Sequence, residues 1–86
     1  MLIYYTGKFR SSYKKLSNLI RTEAEVKEII FRKNPFDPIL KTHKLTGKFK
    51  GFWSFSIDRK HRIIFEFKGK KEVVFHITGT HQVYKK

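Results

Sequence analysis

The sequence has no cysteine. That excludes disulfides and thiolate metal sites, and it suits a reducing cytoplasm. Acids are scarce too: seven Asp and Glu stand against twenty Lys and Arg. Few carboxylates leave little material for a hard-cation site of clustered acids. The two prolines both fall in NPFDP at 34–38, so breakers are confined to one place. No apolar run approaches the roughly 20 residues of a membrane-spanning helix. The opening MLIYYTGKFR reads as a strand and lacks the shape of a signal peptide. The expectation is a cytoplasmic protein with no membrane contact.

Against these absences stand aromatics and positive charge. Hydrophobic residues make up 40% and aromatics 16%, with nine Phe, which is the composition of a folded chain. A length of 86 residues fits a single domain, 1–86, with one core and one sheet covered by helices on one side. The net charge is +13. A field of that size steers polyanions and makes their binding salt-dependent, so nucleic acid is the first partner to consider. An acidic partner could mask the same surface.

LIYYT at 2–6 is rich in β-formers and predicts a strand that Gly7 ends. Phe9, Tyr13, Leu16 and Ile20 then recur at helical spacing. TEAE at 22–25 matches a capping box, which predicts a second helix from Thr22 to about Lys33. Its inner side is expected to carry Val26, Ile29, Ile30 and in part Lys33. Glu23, Glu25 and Glu28 suit its positive end. Residues 34–50 read as a long basic connector with Lys41, His43, Lys44, Lys48 and Lys50. A connector this long in a small domain points to function. Strands follow at 52–57, 62–67 and 72–77, joined by short turns that favour antiparallel hairpins. The predicted fold is α+β, β-α-α-β-β-β, with a helical hairpin on one face of the sheet.

Strand parity divides the sheet. Trp53, Phe55, Ile57, Ile63, Phe65, Phe67, Val73, Phe75 and Ile77 are assigned to the core face. Ser54, Ser56, Arg62, His76 and Thr78 fall on the other. That second face lacks bulky apolar cover in the sequence pattern, so water or a ligand is expected on it.

The four His do not form a zinc-binding pattern, and Asp58 and Glu66 make no evident pair, so no metal and no cofactor is expected. LTGKFKG at 45–51 lacks the helix signal of a phosphate-binding Gly loop. It can be a plain turn, or Lys48 and Lys50 can clamp phosphates. Metal-free RNA cleavage remains. The ribose 2′-OH attacks its own phosphate, given a base, an acid and a cation for the phosphorane. His43, Arg62, His76, His81 and Tyr84 are the groups that could converge for it.

With these residues in place, the chain resembles the RelE/ParE superfamily of toxins, and within it the RelE, YoeB and YafQ mRNA interferases. GFWS-x-x-I-x-x-x-HRIIFEF at 51–67 is similar to the YoeB central hairpin. HKLTGKFKG at 43–51 and TGTH at 78–81 look like YafQ. The resemblance implies a small, metal-independent endoribonuclease that enters the ribosomal A site, cuts mRNA by 2′-OH attack and arrests translation. It implies a cognate acidic antitoxin, with operator DNA bound only through the toxin–antitoxin complex. By resemblance, Arg62 stabilises phosphate charge, His81 and His43 transfer protons in an order left open, and Tyr84 orients the 2′-OH. RNA contacts are expected from Lys41, Lys44, Lys48 and Lys50, from Ser54 and Ser56, from Arg59, Lys60 and His61, and from His76. The chain departs from the family at Ser54 and Ser56, where RelE has lysines and YafQ has Asp and His. The alternative is a non-catalytic RNA-binding module, or a ParE-like toxin directed at gyrase.

Overall fold

The computed structural model describes residues 1–80. Strand β1 (Leu2–Tyr5) leads through Thr6 into helix α1 (Gly7–Lys14), and helix α2 (Asn18–Lys33) follows. The chain then makes a 3₁₀ turn at Pro38–Leu40, a two-residue strand β2 (His43–Lys44) and a second 3₁₀ turn at Gly47–Phe49. Strands β3 (Trp53–Ser56), β4 (Arg62–Phe67) and β5 (Glu72–Gly79) complete one sheet in the order β1-β5-β4-β3-β2. Among the described residues only the β1–β5 pair is parallel. The α+β architecture is the one the sequence predicts, with one strand more: β2 lies inside what reads as connector. Two residues bounded by Thr42 and Leu45 are too short to show a period of two, so tertiary pairing with β3 defines them.

The core is an aromatic cluster. Phe31 of α2 stacks on Phe55 at 4.8 Å and meets Phe65 and Phe75 edge-on at 5.0 and 5.6 Å. Phe9 of α1 joins through Phe75 at 5.4 Å. Quadrupolar rings favour such offset and edge-to-face contacts. The inner stripe of α2 is therefore Ile20, Ala24 and Phe31, with Ile30 packed against the core as expected. Val26 and Ile29, expected inside, are 46% and 59% exposed. Both faces of this helix carry apolar residues, and the sheet selects the one with the ring.

The start of α2 also differs from the expectation. Ser17 is the N-cap, accepting from the Ile20 amide at 3.3 Å. Thr22 lies a turn further in, and its hydroxyl donates to the Asn18 carbonyl at 3.0 Å. Replacing Ser17 with Ala should cost about 1 kcal/mol in urea unfolding. Thr22→Ala should change stability by less than about 0.5 kcal/mol. The reverse order would restore the capping box at 22–25.

A β-bulge sets the geometry of the functional end. Ile64 pairs with Ile77 but Phe65 pairs with Phe75, so His76 is the extra residue on β5. The bulge inverts the parity beyond it. Ile77 turns to the second face and Thr78 is buried, against the assignment made from simple alternation. The bulge sits where β1 ends and α1 begins alongside β5. There Thr6 Oγ1 donates to the His76 carbonyl at 3.0 Å and accepts from the Phe9 amide at 3.0 Å. Further along, the Thr78 amide donates to Ser12 Oγ at 3.0 Å. Side chains thus satisfy backbone groups that no strand pairs.

Candidate active site

Arg62 opens β4, with Ser56 opposite it on β3 and Gly79 on β5. Its carbonyl accepts from Thr78 Oγ1 at 2.8 Å. Its guanidinium donates to Ser56 Oγ. Ser56 cannot carry charge, but as an acceptor it fixes the direction of a planar fork. Arg62 borders two clefts. One, of about 320 Å³, holds Ser56, Lys41, Arg59, Asp58 and Lys27. The other, of about 560 Å³, holds His43, Leu45, Lys48 and Phe49.

His43 reaches this cleft from β2, paired with Ser54 of β3. Its Nδ1 lies 2.9 Å from the Lys41 carbonyl. A carbonyl can only accept, so Nδ1 carries a proton, and in the neutral ring Nε2 is the nitrogen left to act as a base. Lys41 itself is in the left-handed region, φ 53°, which turns the chain between the 3₁₀ turn and β2. Arg62 therefore joins two basic clefts, one with Lys41, Arg59 and Ser56 and one with His43 and Lys48, and the second offers proton transfer beside an anion clamp.

Other candidates lie elsewhere. Ser54 is fully buried and cannot touch RNA. The second face is not bare either: Ile64 is 1% exposed beneath Phe49 and Phe52. Lys44 points away from His43, with its ammonium 5.6 Å from the Trp53 ring centre, and Lys50 shares the cleft on that side. Lys60 and His61 form the β3–β4 turn, where their amides donate to Asp58 Oδ1 at 2.9 and 2.7 Å. The His61 ring lies with Nδ1 3.0 Å from Asp58 Oδ1, and the residue borders a cleft with Lys8, Lys15 and Thr80. Burial alone would raise the Asp58 pKa, but these hydrogen bonds and His61 outweigh it and hold the carboxyl below its usual range. His76 lies 3.0 Å from Glu66 Oε1 and edge-on to Phe52 at 5.0 Å. The His76 hydrogen bond, with help from Lys68, lowers the Glu66 pKa against a smaller opposing effect of burial.

The family model described as "YoeB-like toxin of bacterial type II toxin-antitoxin system" matches residues 2–81. The chain belongs to this family. The toxin's fold is similar to that of YafQ from E. coli strain BL21(DE3), at 20% identity and TM-score 0.76 over 95% of this chain and 94% of that one. It is similar to the YoeB/ParE toxin from Agrobacterium tumefaciens, at 19% identity and TM-score 0.78 over 94% and 99%. The YoeB–YefM complex from Staphylococcus aureus matches at 17% identity and TM-score 0.75 over 94% and 98%. No curated protein sequence matches this chain.

Two of the toxin's expected catalytic residues, His81 and Tyr84, lie outside the described residues. Among the described residues no three metal-ligating side chains cluster, and no helix is long and apolar enough to cross a membrane. Sequence reasoning overlooked Thr78, whose hydroxyl ties the Arg62 backbone to β5. A Thr in a strand carries no signal of such a role until the bulge turns it inward.

Proposed function

We propose that the toxin is a ribosome-dependent mRNA endoribonuclease acting by metal-independent 2′-OH attack. The observation that carries this reading is Arg62, held by Ser56 in a basic groove that also contains a His43 poised as a base. His43 Nε2 takes the proton from the 2′-OH. The oxygen bonds to the adjacent phosphorus, Arg62 opposes the growing phosphorane charge, and the P–O5′ bond breaks. The products are a 2′,3′-cyclic phosphate and a 5′-OH. His81, two positions beyond Gly79 in sequence, gives its proton to the leaving oxygen, and Tyr84 orients the 2′-OH. Lys41, Lys48 and Arg59 border the same clefts and suit mRNA or rRNA phosphates. The +13 charge also favours an acidic antitoxin, with operator DNA reached through that complex. Support for such a partner comes from relatives solved as DinJ–YafQ and YoeB–YefM complexes.

The test is to add purified toxin to ribosomes carrying mRNA and to read the cut ends. Cleavage at the A-site codon should leave 5′-OH and cyclic phosphate ends, and a 2′-deoxyribose at that position should block it. Ends with 5′-phosphate would overturn the 2′-OH mechanism. Growth arrest with intact mRNA and damaged DNA would favour a gyrase target, and RNA bound but never cut would favour a non-catalytic module.

A further inference from the structure

The second face holds another cleft beside the Arg62–His43 groove. Its lining includes Phe49, Phe52, Ile64, Ile77 and His76, with Lys8 at the rim, and its volume is about 250 Å³. Phe49 is common to both: it lines this cleft and also the one shared by His43 and Arg62. The cleft therefore lies one side chain away from where a phosphate would sit. Small-molecule sites usually enclose roughly 300–1,000 Å³, so this one suits a single planar ring system better than a whole metabolite.

Its chemistry matches such a ring. Ile64 is buried and gives an apolar floor, while Phe49 and Phe52 are half-buried and give walls. Lys48 holds its ammonium 5.8 Å from the Phe49 ring centre, which puts a cation next to the shared wall. Thr6 also lines the cleft, but its hydroxyl is engaged by the His76 carbonyl and the Phe9 amide, so besides Lys8 at the rim the oriented polar group is His76. His76, projected by the bulge, stands edge-on to Phe52 at 85° with its Nε2 3.0 Å from Glu66 Oε1. A carboxylate only accepts, so Nε2 carries a proton and the imidazole is fixed in orientation. Aromatic walls, flanking cations and one oriented polar edge are what a single-stranded base needs for stacking with some selectivity. We propose that this cleft is a nucleobase subsite, which takes the base adjacent to the phosphate held at Arg62; this rests on the endoribonuclease reading above.

The test uses the whole chain and a short single-stranded RNA with 2′-deoxyribose at the cleavage position, so that it binds uncut. Three forms are compared: intact, lacking the base 5′ of that position, and lacking the base 3′ of it. One abasic form should bind about tenfold more weakly than the intact RNA, the scale of losing one stacked base. In wild-type protein the ring resonances of Phe52 and His76 should move with the intact RNA and stay in place with that abasic form. In the Phe49→Leu/Phe52→Leu double variant the abasic penalty should fall below about twofold while Arg62 and His43 resonances still respond. Equal binding of all three forms, or unmoved Phe52 and His76 rings, would overturn the subsite. Cleavage of ribosome-bound mRNA with no abasic penalty removes the subsite and leaves the nuclease. An abasic penalty without cleavage supports the subsite and removes the nuclease.

Discussion

Replacing Arg62 with Ala should lower mRNA cleavage by about 100- to 1,000-fold, the usual loss when one preorganised donor to a developing charge is removed. Growth arrest on expression without antitoxin should be relieved in parallel. The guanidinium already lies on Ser56 before substrate arrives, so little reorganisation is needed when the phosphorane forms. Arg62→Lys should recover little, because a flexible ammonium supplies the charge without the fork that Ser56 orients. Arg62 is part-exposed at a strand end, so the fold should survive, and an unchanged melting curve would show it. A fully toxic Arg62→Ala protein would remove this groove from consideration.

The second large effect concerns stability. Phe31→Ala should destabilise the toxin by about 3–5 kcal/mol, within a total that for small domains is about 5–15 kcal/mol. Phe31 is fully buried and contacts Phe55, Phe65 and Phe75, one ring from each of three strands. It is the attachment of α2 to the sheet, and no neighbour can fill a cavity of that size without moving a strand. Val26→Ala, on the exposed side of the same helix, should cost less than about 0.5 kcal/mol. Comparable losses in denaturant midpoints for the two variants would put the helix on its other face.

These contrasts show where sequence patterning carries information and where it stops. Alternation placed Phe55, Ile63, Phe65, Val73 and Phe75 on the core face, and all are buried. It failed after His76 because one inserted residue inverts the pattern and leaves no mark in composition. Helical spacing found both helices but not the rotation of α2, since Val26 and Ile29 are as apolar as the residues that pack. TEAE misled because Ser17 also caps, and tertiary context chose it. For the site, Arg62 and His43 were legible as types suited to the chemistry, and the structure brings them to one cleft. Ser54 was not legible as buried, because alternation places it on the face opposite the core and carries no sign of what covers that face. His81 and Tyr84 rest on resemblance alone.

The parallel pairing of β1 with β5 has a consequence during synthesis. Leu2 leaves the ribosome 70 residues before its partner Glu72. Until then the first strand has no neighbour, and Arg62 lacks the Thr78 hydroxyl that holds its carbonyl. Closing so long a loop is slow and comes late. A nascent copy therefore lacks both the first strand's pairing and the tie on Arg62 until the last strand has been made, so the basic cleft at Arg62 is among the last parts of the fold to be completed.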